Sequence, residues 1–174
     1  MRTILPQIIA ERAAGRDCVL VSLIADTGSA PRGKGSLMLV GAQGRIAGTV
    51  GGGAIERHCE SMGKTLTAEK RSGIHEFILR ANKTEDIGMI CGGNVTAQFQ
   101  FIPAESPLWD EVLRIAQERT AAHRHGWLIL RGKAGLVDEA SPEMREAGWQ
   151  HLEGLGEHYD GPNDETLVLQ VCVR

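Results

Sequence analysis

Two clusters of residues in this chain could do chemistry. One is a cysteine set among glycines, Cys91-Gly92-Gly93, in the stretch Asp-Ile-Gly-Met-Ile-Cys-Gly-Gly-Asn that ends at Asn94. Glycine beside a thiol leaves the sulfur reachable, and nearby backbone N–H groups lower its pKa. A thiolate is a soft donor, so Cys91 is the candidate metal ligand and the candidate catalytic thiol. A buried, inert cysteine is the alternative reading. The second cluster is the run Gly51-Gly52-Gly53, with Glu56 three residues on. Glycine admits positive φ and close approach of backbone to a ligand, so successive N–H groups can turn toward an anion. A helix opening at Gly53-Ala54 adds its positive N-terminal end.

Local charge points the same way. Between Thr27 and Gly53 there is no Asp or Glu, while Arg32, Lys34 and Arg45 give this stretch a formal +3 in a chain of net charge −3. Phosphate is the natural guest of such a segment; the alternative is that the glycines only make tight turns. Glu56 also has two readings. It either complements the helix dipole, or it places a carboxylate beside the ligand for proton transfer or a hydrogen bond to a cofactor.

Known nucleotide signatures do not fit. Gly-Thr-Val-Gly-Gly-Gly (48–53) fails the dinucleotide fingerprint, no acidic residue closes a following strand, and the P-loop pattern is missing. The four cysteines, at 18, 59, 91 and 172, form no Cys-x-x-Cys pair. Cys18 and Cys172 lie in apolar runs and Cys59 on a helical apolar stripe, where cysteine is a small hydrophobe. His58 points roughly 100° away from Cys59 on a helix, a poor pair of ligands. His123 and His125 follow a helix and read as solvated. No base adjoins Cys91 in sequence; His75 is a candidate neighbour in space.

Regular elements must position these groups. Residues 4–14 read as a helix stopped by Gly15, and 18–26 as a buried central strand. Residues 27–36 can only be a loop. Residues 36–40 and 45–49 flank Gly41–Gly44 as a hairpin. A helix from about 54 to 69 carries the stripe Ile55, Cys59, Met62, Leu66. Residues 74–79 form a strand, and 94–102 alternate as a half-buried strand. Beyond 103, Ser106-Pro107 caps a helix to about 122. Then come a strand at 126–132, a short helix from Ser141-Pro142, a loose linker over 150–165 and a last strand at 166–173. The expected class is α/β, an α+β mixed sheet with flanking helices and glycine-rich loops at strand ends, without a Rossmann fingerprint. The expected division is 1–103, the ligand-binding part, and 104–174, an α/β extension packed on it.

Composition bounds the rest. The 174 residues are 42% hydrophobic and 24% charged, an ordinary globular balance. Net charge −3 argues against a nucleic-acid partner. No apolar run reaches about 18 residues, which argues against a membrane span. The N-terminus lacks a signal-peptide pattern and the thiols read as reduced, so the expected location is the cytoplasm. Uncovered strand edges lead to the expectation of a homo-oligomer, a dimer.

Three segments, 26–40 (DTGSAPRGKGSLMLV), 44–56 (GRIAGTVGGGAIE) and 88–102 (GMICGGNVTAQFQFI), taken in order, resemble the N-terminal domain of the xanthine dehydrogenase accessory (XdhC/CoxI) family. The resemblance covers about residues 5–103. It implies a chaperone, not an enzyme. Such a chaperone binds molybdenum cofactor transiently, as molybdopterin or a dinucleotide form, and protects it while its terminal sulfur is installed. It then hands the cofactor to a molybdenum hydroxylase such as xanthine or carbon monoxide dehydrogenase. Implied partners are the hydroxylase apoenzyme and a cysteine desulfurase. Pro31, Gly35, Met38, Gly51, Gly52, Gly53, Glu56, Cys91, Gly92 and Gly93 would line or shape the site, with Arg32 and Lys34 supplying charge. Two departures stand out. Ala54 occupies a position where many relatives carry cysteine, and no second, Rossmann-like region follows residue 103. That leaves a short member or a piece of a longer chain. The alternatives are a cysteine-dependent redox or sulfur-transfer enzyme and a nucleotide-sensing assembly module.

Overall fold

The central strand is the unbroken apolar run that begins at Cys18. In the computed structural model, residues 3–28, 36–79, 93–121, 126–131, 133–137, 149–150, 156–159 and 167–171 are described. Helix α1 (Ile4–Ala13) leads into β1 (Cys18–Gly28), the hairpin β2 (Leu37–Gly41) and β3 (Gly44–Gly48), helix α2 (Gly53–Glu69), and strands β4 (Gly73–Leu79) and β5 (Gly93–Ile102). These strands make one sheet in the order β3-β2-β1-β5-β4, with β1 at its centre.

All four pairings in this sheet are antiparallel. The class, a sheet with flanking helices, is as expected. The mixture of parallel and antiparallel neighbours is not there. The reason is where α2 delivers the chain. Strands β3 and β4, which α2 joins, run in the same direction but lie at opposite edges, with β2, β1 and β5 between them.

Burial explains the run in β1. Side chains alternate across a strand. Cys18 and Leu20 join Leu37, Leu39 and Ile102 on one face, under Ile4, Leu5 and Ile8 of α1. Val19, Val21 and Leu23 join Met38, Val40, Val95, Ala97 and Phe99 on the other, under Ala54, Ile55, Cys59 and Leu66 of α2. With both faces covered the run is apolar but for Ser22, which is fully buried and whose Oγ meets no hydrogen-bond partner among the described residues.

Helix α3 (Pro107–Ala121) completes the α1 face. Its Trp109, Leu113 and Ala116 sit in the same cluster as α1 and β1. Ser106 caps it through Oγ to the Trp109 N–H at 3.3 Å, as the Ser-Pro pair predicts. The junction before it is bonded to α1. Arg12 donates to the carbonyls of Pro103 (2.8 Å) and Ser106 (3.1 Å) and pairs with Asp110 at 2.7 Å. Asp17 accepts from the Ala104 N–H at 2.7 Å. Strand β5, read from sequence as half-buried, is buried further than that: Gln98, on its polar face, is only 5% exposed.

The remaining strands are β6 (Gly126–Arg131), β7 (Lys133–Val137), β8 (Trp149–Gln150), β9 (Gly156–Tyr159) and β10 (Leu167–Val171). They form a second antiparallel sheet in the order β7-β6-β10-β9-β8. The stretch 150–165, expected as a linker, thus contains β9. The helix expected after Ser141-Pro142 lies outside the described residues. No helix among the described residues is long and apolar enough to cross a membrane.

Candidate functional site

One end of the first sheet gathers the backbone around the glycine segments. There Gly28, the last residue of β1, stands opposite Gly93, the first of β5, and Leu79, the last of β4, also stands opposite Gly93. Strand β2 enters at the same end, where the Leu23 N–H donates to the Ser36 carbonyl at 3.0 Å. Strand β3 leaves there too, with Gly48 opposite Met38. Segments 29–35 and 80–92 therefore start or finish at the end where Gly51–Gly53 opens α2. Pro31, Arg32, Lys34, Gly35, Cys91 and Gly92 lie outside the described residues.

The glycine run has a definite shape. Gly51, Gly52 and Gly53 have φ of 135°, 80° and 64°, all in the region that disfavours side chains. A Cβ built on Gly52 or Gly53 would meet no atom within 4 Å, so this backbone is uncovered. N–H groups in the first turn of α2 lack intrahelical acceptors and carry the positive end of the helix dipole.

Glu56 is tied to its own chain. Its Oε2 accepts from the Thr49 hydroxyl and from the Gly52 N–H, the latter at 3.2 Å. Its Oε1 accepts from Arg45 Nη1. Thr49 Oγ1 in turn accepts from the Gly51 N–H at 3.3 Å. Three donors of the protein thus converge on the carboxylate proposed for proton transfer. Arg45 is one of them, so one of the three positive charges counted from sequence is neutralised within the fold.

Met38, expected to line or shape the site, is fully buried among Val21, Val40 and the α2 side chains. It backs the sheet end from inside the core and offers no surface to a ligand. Cys18 and Cys59 are buried as expected, and burial foremost pushes each thiol up to about 12, with Glu56 adding to the effect at Cys59. Neither is a ready nucleophile. His75 packs edge-on against Phe77 with ring centroids 4.5 Å apart. Among the described residues no group of three or more His, Cys, Asp or Glu could hold a metal ion.

Sequence reading missed Thr49 and Arg45 as partners of Glu56. One signal was available: a Thr hydroxyl commonly bonds the N–H two residues on, and Thr49 stands two before Gly51.

Known proteins resemble the chain in sequence and in fold. Residues 11–80 match the profile of the XdhC and CoxI family. The molybdenum cofactor insertion chaperone PaoD of Escherichia coli (strain K12) is 30% identical over 129 residues, which span 71% of this chain and 39% of that protein. A solved structure described as a xanthine dehydrogenase from Bacillus halodurans superposes with a TM-score of 0.65 at 11% identity, over 98% of this chain and 53% of that one. The chain thus spans about two fifths of the one relative and half of the other.

Proposed function

The chain belongs to the XdhC and CoxI family, and from that premise we propose that it holds molybdenum cofactor as cargo during maturation of a molybdenum hydroxylase. The observation that carries the reading is the Gly51–Gly53 run at the start of α2, with positive φ at all three residues and open space at the Cβ positions of Gly52 and Gly53. The cofactor ends in phosphate, and such a backbone is open to a phosphate group where a side chain would block it. Support from relatives is the name of the similar protein, a molybdenum cofactor insertion chaperone.

In this reading the Gly51 and Gly52 N–H groups stay bonded to Thr49 and Glu56, and the phosphate meets the Gly53 N–H and the first turn of α2. Arg32 and Lys34 add the charge that Arg45 does not supply. Cys91 attends to the molybdenum end, where a soft donor suits the metal and its sulfur. Gly92 and Gly93 keep that thiol accessible. The cargo is molybdopterin or a dinucleotide form, bound transiently while a cysteine desulfurase supplies sulfur and a hydroxylase apoenzyme receives the product. The protein works in the cytoplasm, as a homo-oligomer. Its first part, 1–103, is the binding part, and 104–174 packs on it.

Titration of the purified chain with molybdenum cofactor, and in parallel with inorganic phosphate and plain nucleotides, tests this. Saturable binding of the cofactor, weakened by salt and tighter than any nucleotide, is expected. Arg32→Ala with Lys34→Ala should weaken it and flatten its salt dependence. Cys91→Ser should retain binding yet deliver less active cofactor to a hydroxylase. Equal or tighter binding of a nucleotide would replace the cargo reading with the nucleotide-sensing one.

A further inference from the structure

We infer that Thr49 and Arg45 are positioning residues which, acting through Glu56, hold the Gly51–Gly53 run in the shape that receives an anion. The purpose of the run rests on the cargo reading above; the network that holds it does not.

The connections form a closed path. Thr49 is fixed to the sheet by its N–H, which donates to the Leu37 carbonyl at 2.9 Å. Its hydroxyl faces both ways: it accepts from the Gly51 N–H at 3.3 Å and donates to Glu56 Oε2. The same Oε2 accepts from the Gly52 N–H at 3.2 Å. Arg45, on β3, takes the other carboxylate oxygen, and its own N–H donates to Glu60 Oε1 at 3.2 Å. The run is therefore strung between a strand end and the first turn of a helix, with two of its N–H groups bonded from one side.

Such a device has a physical reason. Three glycines in succession sample both signs of φ when free, and a ligand that must order them loses affinity by that amount. A network that selects one geometry beforehand removes the loss. It also accounts for the type of each member. Glu56 is only 16% exposed in its side chain, so its charge needs Arg45 beside it. Thr49 needs a hydroxyl because it must donate and accept at once. On this reading Glu56 neither moves a proton nor touches the cargo.

Thr49→Val keeps the shape and removes the hydroxyl, while Thr49→Ser restores it. Amide hydrogen exchange and molybdenum cofactor affinity are read on both variants. Thr49→Val should speed exchange at residues 51–54 by about tenfold, the loss expected for a hydrogen bond to a charged group, and leave the C-terminal half of α2 unchanged. Cofactor affinity should fall by a similar factor with the salt dependence unaltered, and Thr49→Ser should restore both. Wild-type exchange in Thr49→Val overturns the network. Faster exchange with unchanged affinity overturns its role in binding. If the wild-type chain binds no cofactor, the cargo reading fails and exchange alone still decides for or against the network. Should Thr49→Val fold poorly, Arg45→Gln carries the same readouts from the exposed end of the path.

Discussion

Glycines along α2 and the hairpin it crosses answer to opposite conditions. Where the strands of the hairpin meet each other and α2, they are squeezed. A Cβ on Gly63 would stand 2.9 Å from Val40 Cβ, one on Gly44 2.5 Å from Glu60 Oε1, and one on Gly48 2.2 Å from the Leu37 carbonyl oxygen. At the start of the same helix, Gly52 and Gly53 look onto open space. In the first region glycine lets two elements touch. In the second it keeps backbone bare. A glycine-rich sequence thus contains two demands under one letter, and only the second concerns a ligand.

Gly48 should give the largest effect. Its φ is 74° and a side chain there would run into backbone that cannot move without breaking the β2–β3 pairing. Positive φ and overpacking together put the cost of Gly48→Ala at about 3 kcal/mol or more. Urea unfolding measures it, and a loss near zero would mean that the squeezed region yields easily.

Alkaline pH probes the tightness of the same packed core. Cys18 and Cys59 are held near 12, against 9.0 for an unperturbed thiol, so the native state keeps protons that the unfolded chain gives up. Their contribution is whole below pH 9 and is lost as pH rises toward 12, by about 1.4 kcal/mol per pH unit for each thiol in that window. Stability from pH 9 to 11 should fall less steeply when both are replaced by Ala.

Gly63→Ala comes next. Here the backbone is helical, so Ala gains about 1 kcal/mol of propensity while overpacking against Val40 costs about 1–3 kcal/mol. A net loss of about 1 kcal/mol is expected. Adding Val40→Ala should make the Gly63→Ala step favourable, a coupling that a double-mutant cycle reads directly.

The comparison also locates what the sequence made legible. Elements of the first sheet were readable because their signals are local: the apolar run at β1, the glycine-bounded hairpin, the stripe on α2. The stripe was right at Ile55, Cys59 and Leu66, yet the buried face also includes Gly63 and Thr67. Thr67 tolerates burial because its hydroxyl donates to the Gly63 carbonyl at 2.8 Å within the helix. Nothing in the alternation of β5 announces that Gln98, on its polar face, is buried. The glycine run was legible as a candidate site, whereas its partners were not. Arg45 and Glu56 are eleven residues apart and meet only because α2 folds back over β3. Met38 was placed at the site by resemblance, and its buried position follows from pleating that puts it opposite Leu39.

A substitution at Gly53 should cost less stability than one at Gly48 and give one of the sharpest effects on binding. With φ at 64° and nothing near its Cβ position, a side chain there meets a conformational penalty but no clash. Gly53→Ala should cost about 1–2 kcal/mol, the usual penalty of left-handed backbone for a residue with a Cβ. Gly53→Asn should cost less, because Asn tolerates that region best after glycine. If the bare backbone matters only for folding, Asn restores all functions along with stability. If it matters because a phosphate must approach it, Asn restores stability while its side chain fills the approach, and cofactor affinity stays low in both variants. Melting temperature and cofactor affinity on the two variants separate the cases. Recovery of affinity by Asn would place Gly53 with the structural glycines and leave the comparison to rest on Gly52 alone.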